Sequence, residues 1–256
     1  MYSTHTKMPY MSRVKDKKSS ELLQYATRLD ENADRVLAVQ MDDLTLPESR
    51  VPQVIVGLCR AAFAQCKVIS LLTRENLFFE SAPNRRLFIE SVIRLCWLHD
   101  MPVDKRPSAV DSMLSKDRQD LNSTVSYLTD HNFHIDFDPT EMMNFPLFAP
   151  EKGTLQEQAK KLKQAVTASK LDLSSFYTMW RDATPYSHAS GFLAGAYAST
   201  LDNVHMHSNM PTVTNADLKV YVLIQLLTAT ITSEILRSEN IDKEIANRIQ
   251  NAYFSI

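Results

Sequence analysis

The residues best suited to chemistry lie between Trp180 and Thr200, in the stretch WRDATPYSHASGFLAGAYAST. Arg181 precedes His188 with six residues between them, and Asp182 directly follows the arginine. Tyr186, Ser187 and Ser190 place hydroxyls on both sides of the histidine. An imidazole takes or gives a proton near neutral pH, and a guanidinium offsets charge that develops on a phosphorus-bound oxygen. The combination suits acid–base work on a phosphodiester, with Asp182 orienting the pair and Tyr186, Ser187 or Ser190 holding the phosphate.

Thr184 and Pro185 read as the cap and first-turn proline of a helix running to about Asp202. That places His188 in the first turn, where unpaired backbone amides attract an anion. Beyond it, Ala189, Gly191, Ala194, Gly195, Ala196 and Ala198 leave a face nearly bare of side chain. Gly191 and Gly195 have the spacing that lets a second helix approach closely, within the chain or across a dimer axis. A second group of charges, Arg86, Glu90 and Arg94, recurs every four residues in a helix that is otherwise apolar almost all round, NRRLFIESVIRLCWL. Charges on a buried helix need partners. Either they line a ligand site or they form an ion network that fixes packing. The first reading predicts an anion-binding centre where the helix from Asn84 to Leu98 meets the helix start at Pro185, with Arg86 or Arg94 in side-chain reach of His188.

RDATPYSH resembles the Arg-polar-x(3-5)-His motif of the HEPN superfamily, and RLCWLH, from Arg94 to His99, matches a four-residue version of the spacing without the polar second residue. Arg86, Glu90 and Arg94, followed by Trp180, Tyr186, Ser187 and His188, also resemble a family of helical bacterial and phage-borne proteins of unknown function, over about residues 80 to 200. The superfamily resemblance implies a metal-independent ribonuclease, in defence or stress response, in which two copies of the motif meet in a homodimer. Arg181, His188 and Asp182 would then be catalytic. Two other readings use the same residues. In one, Arg86, Arg94, Arg181 and His188 form a cationic pocket that binds a nucleotide or another anionic ligand without turnover, or the chain is a protein-interaction scaffold. In the other, His188 is structural and packs against a backbone carbonyl near Tyr186 or against Glu90. None of them implies a cofactor or metal.

The rest of the chain supplies the frame. With 256 residues, 44% of them hydrophobic, and only 4 glycines against 11 methionines and 11 phenylalanines, the composition favours one all-α domain of about eight helices over residues 19–256. Residues 1–18 carry Lys7, Arg13, Lys15, Lys17 and Lys18 against Asp16 and read as a flexible basic arm. A net charge of -2 excludes a wholly electrostatic nucleic-acid binder. Cys59, Cys66 and Cys96 sit in apolar helical patterns without CxxC pairing, which predicts reduced core thiols and a cytoplasmic protein. The N-terminus has no apolar targeting core, and no uninterrupted apolar run reaches membrane-spanning length, so a soluble protein is expected. Arg60, Lys67 and Arg74 fall seven apart and form a stripe that either meets phosphates or faces solvent. Residues 130–150 are the least helical, and the alternation of His134, Asp136 and Asp138 with Ile135 and Phe137 predicts a short extended or irregular insertion. Its spacing matches no metal cage, and His205 and His207 supply too few ligands for one.

Overall fold

The computed structural model describes residues 10–44, 46, 49–138, 140, 146–147, 153–200, 205–208, 210–211 and 217–255. Among them are ten α-helices and one two-stranded antiparallel pair, so the chain is all-α. The helices are α1 (Tyr10–Leu37), α2 (Val51–Arg74), α3 (Ala82–Asp100), α4 (Arg106–Asp130), α5 (Thr154–Lys160), α6 (Leu162–Ala168), α7 (Ser174–Ala183), α8 (Gly191–Tyr197), α9 (Leu218–Ser238) and α10 (Lys243–Phe254). Strands β1 (Ala198–Thr200) and β2 (Met206–Ser208) pair with Ser199 opposite His207.

The core forms where α2 and α9 pack against α3 on one side and against α1 on the other, with α10 closing on α1 and α9. Ile55, Cys59, Phe63, Cys66 and Ile69 recur at helical spacing along α2 and are fully buried, giving it a single apolar stripe toward the centre. In α3, Phe88, Ile89, Val92, Ile93, Leu95, Cys96, Trp97 and Leu98 are all buried, as expected for a helix apolar all round. Of the buried polar groups of α9, Gln225, Thr228 and Thr232 are hydrogen-bonded, whereas the Ser233 hydroxyl has no partner among the described residues. Gln225 donates to the Leu29 carbonyl (2.9 Å) and accepts from Asn32 (3.0 Å), while Thr228 and Thr232 bond back to carbonyls one turn earlier. Both α2 and α9 are long and apolar enough to cross a membrane; 39% and 56% of their most apolar windows are buried within the molecule. The three cysteines are buried and unpaired.

The α2 basic stripe is ion-paired to α1 while Lys67 and Arg74 stay partly open to solvent. Arg60 donates to the Leu37 (3.0 Å) and Val39 (3.1 Å) carbonyls and so closes the C-terminal end of α1. Lys67 pairs with Asp34 and Asp30, and Arg74 with Asp30. The stripe is the polar seam between α1 and α2.

Several boundaries differ from the sequence reading. Helix α1 starts at Tyr10, inside the segment read as a flexible arm, and the lysines there are good helix formers; residues 1–9 lie outside the described residues. Residues 131–138 form an irregular segment, in which His134 and Asp136 pair at 3.1 Å on the surface. The strand pair lies instead in the stretch read as a helix end and a polar connector. The scarcity of glycine is explained at the helix ends. Asn76, Asn132 and Asn240 adopt positive φ (59°, 57° and 59°) and let Leu77, Phe133 and Ile241 donate back to Leu72, Leu128 and Leu236 in the closing bond of a helix C-cap.

Candidate functional site

The site is built on the contact of α7 with α3. Trp180, near the end of α7, donates from its indole Nε1 to Glu90 Oε2 (2.9 Å). The Arg86 guanidinium lies over the same indole, 5.0 Å from the ring centre, and its Nη2 is 3.8 Å from Glu90 Oε2. Tyr177, one turn earlier on α7, stacks on the Trp180 indole with ring centres 5.7 Å apart. Arg86 and Glu90, expected to line a site or build a network, therefore do the latter on this side of α3. Trp180 is the partner that charge spacing alone did not reveal.

The helix expected from Pro185 does not form. Thr184–Tyr186 is a single 3-10 turn, residues 187–190 bend, and α8 begins only at Gly191. The hydroxyls explain this break. Thr184 Oγ1 donates to the Trp180 carbonyl (2.7 Å), Ser187 Oγ to Ala183 (2.8 Å) and Ser190 Oγ to Pro185 (2.5 Å), closing off the end of α7 and its following turn. Ser190, in an extended conformation, then caps α8 by accepting from the Leu193 amide (3.1 Å). His188 is thus not in a first helical turn, and helix-end amides do not surround it. Ser187 and Ser190, expected to hold a phosphate, spend their hydroxyl protons on the backbone.

Aromatic side chains anchor this segment to the turn before α3. Tyr186 and Tyr197 both meet Phe79 edge to face, at 4.9 and 6.0 Å, and the Tyr197 hydroxyl donates to Glu80 Oε1 (2.9 Å). What they leave outside is the part of interest. Arg181, Asp182 and His188 are exposed, and among the described residues neither Arg181 nor His188 has a hydrogen bond, ion pair or ring contact. Asp182 acts through charge on buried Tyr221, whose phenol is pushed up by burial and, less strongly, by Asp182, against the opposing effect of Arg85. Arg85, also missed by spacing arguments, covers the Phe78 ring at 4.5 Å.

Helix α8 buries none of its seven residues, and Phe192 is 72% exposed. An open apolar recess of about 520 Å³ runs along Ala189, Gly191, Leu193, Ala194 and Tyr197. A Cβ placed on Gly191 or Gly195 meets nothing within 4 Å, so among the described residues no second helix packs closely on the small-residue face.

Arg94 does not join this group. It is buried, donates from Nη1 to the Gln158 carbonyl of α5 (2.7 Å) and lies 5.7 Å from the Trp97 ring centre. Its neighbour in the alternative motif, His99, is turned to Glu234 of α9 (2.9 Å). Arg86 turns to Trp180 and Arg94 to Gln158, and among the described residues neither has a hydrogen bond or ion pair with His188. Among the described residues no cluster of three or more histidine, cysteine or acidic side chains is arranged for a metal. No family model, curated protein or solved structure matches the chain.

Proposed function

We propose that this chain is a metal-independent, HEPN-like ribonuclease that works as a homodimer, with α8 faces in contact and Arg181 and His188 at the rim of that contact. The observation that carries the reading is the state of the motif. Arg181 and His188 are exposed and unengaged among the described residues, beside a helix whose apolar residues are all unburied. A histidine that capped or packed the fold would hold a partner inside the chain. In the proposed reaction, the His188 imidazole removes the proton from a ribose 2'-hydroxyl, and the freed oxygen attacks the adjacent phosphorus. The 5'-oxygen leaves and takes a proton from water, His188 returns its own proton to solvent, and the products are a 2',3'-cyclic phosphate and a 5'-hydroxyl end. Arg181 offsets the charge on the phosphorane, with Asp182 beside it. The chemistry needs no metal or cofactor. Three buried, unpaired thiols suit a reducing cytoplasmic setting.

The test is incubation of the purified chain with total RNA in EDTA, followed by analysis of the ends. Cleavage leaving cyclic phosphate supports the reading. Intact RNA, or cleavage that EDTA abolishes, rejects it.

A further inference from the structure

Between α3, α4 and α5 lies a cavity of about 230 Å³ that is separate from the Arg181–His188 surface. Its chemistry centres on Arg94, which is only 7% exposed. A guanidinium carries five donors, yet the bond that holds this one goes to a single backbone carbonyl, that of Gln158. Among the described residues no carboxylate pairs with Arg94 directly. Burial lowers its pKa, and Glu90 and Asp117 act on it only through space. A buried cation in this condition is poorly compensated, and the cavity beside it is where an anionic group would compensate it.

The remaining walls restrict what that anion belongs to. Glu90 and Asp117 also line the cavity, and burial, ahead of every neighbouring charge, pushes the Asp117 carboxyl up. Lys116 and Lys160 line it too, Lys116 engaged by Asp120 and Lys160 acting through charge on Glu157. Leu87 and Met113 add apolar surface. A phosphate dianion would face two carboxylates, and a simple amine would face Arg94. A molecule with both charges and a short aliphatic body gives Arg94, the two carboxylates and the apolar walls each a complement. The volume is below the ~300–1,000 Å³ of sites for drug-sized ligands, and equals about seven or eight waters at ~30 Å³ each.

We infer that this cavity binds a small free aliphatic α-amino acid, its carboxylate on Arg94, its ammonium between Glu90 and Asp117, and its side chain against Leu87 and Met113. This site does not depend on the ribonuclease reading. Glu90 links it to the other face of α3, because the same carboxylate accepts from Trp180, next to Arg181.

The chain's two tryptophans both report on the cavity, Trp97 beneath Arg94 and Trp180 through Glu90. The experiment is a fluorescence titration of the full chain with L-valine at constant ionic strength. Isovalerate, which lacks the ammonium, and isobutylamine, which lacks the carboxylate, are titrated in parallel. A saturable response to L-valine is expected, with each half-molecule binding at least tenfold more weakly. Arg94→Met and Asp117→Asn should each weaken L-valine tenfold or more. Asp117 is exposed, so its variant reports even if Arg94→Met fails to fold. Absence of a saturable response to L-valine, equal binding of isovalerate, or unchanged affinity in Asp117→Asn overturns the inference. The titration is repeated on His188→Ala, where the response should persist, so failure of this site is distinguishable from failure of RNA cleavage.

Discussion

The Trp180 indole donates to the Glu90 carboxylate over 2.9 Å and so joins residues 90 apart in sequence. With Arg86 over the same ring, this bond fixes the end of α7, and hence Arg181, against α3. Trp180→Phe keeps an aromatic face for Arg86 and removes the donor. Glu90 is about one-third exposed, so water replaces part of what is lost. The expected cost is therefore near the low end for a hydrogen bond to a charged group, about 1–1.5 kcal/mol. Urea unfolding measures it, and wild-type stability in the variant would show that the bond contributes nothing to the fold.

Asp100, at the end of α3, gives a pH dependence of definite sign. Burial works to raise its carboxyl, but the Ser169 hydroxyl, the Leu171 amide (2.9 Å) and His99 outweigh burial and hold it below its ordinary value. A carboxyl lowered in the folded state binds its proton more readily in the unfolded chain. Its contribution is complete above the unfolded value of about 3.9 and is lost as pH falls through the lower folded value. Asp100→Asn should be less stable than wild type at pH 7, with the difference shrinking below about pH 4. A difference that stays constant from pH 7 to pH 3 would contradict this assignment.

The helices were legible because burial follows their periodicity. Ile55, Cys59, Phe63, Cys66 and Ile69 mark the inner face of α2 by spacing alone, and the almost all-round apolar character of α3 from Leu87 to Leu98 predicts its burial. The site was legible only in its residue types. Arg86, Glu90 and Arg94 share a stripe, but periodicity does not say which neighbour each one meets. Arg86 and Glu90 turn to Trp180 while Arg94 turns to Gln158, and both partners come from distant helices. The Pro185 helix misled for a local reason. Thr184, Ser187 and Ser190 can cap a helix or terminate one, and here the first two bond backward to α7 while Ser190 does both.

Gly195→Leu separates folding from association. A Cβ added at Gly195 meets nothing within 4 Å among the described residues, and leucine is a better helix former than glycine by up to ~1 kcal/mol, so thermal stability of the monomer should hold or rise slightly. Under the proposed function the same change obstructs the α8 contact and yields monomer. Sedimentation velocity of wild type and variant measures this. A wild-type chain that is monomeric at all concentrations would remove the homodimer from the proposal.

Three alanine variants decide which histidine matters. His188→Ala and Arg181→Ala should each reduce RNA cleavage about 100-fold or more, since one removes the general base and the other the counter-charge of the phosphorane. Both side chains are exposed and unengaged among the described residues, so unfolding midpoints should stay close to wild type. His99→Ala should behave in the opposite way. Its Nε2 meets Glu234 at 2.9 Å and joins α3 to α9, so its loss costs stability, roughly 1–2 kcal/mol, while cleavage by the folded fraction continues. Arg94 and His99 also turn to different partners, Gln158 and Glu234, which leaves RLCWLH without a shared substrate position. If instead His99→Ala abolishes cleavage and His188→Ala does not, the catalytic motif is the one on α3. Unfolding of His188→Ala would make that histidine structural, through a contact that the described residues do not contain.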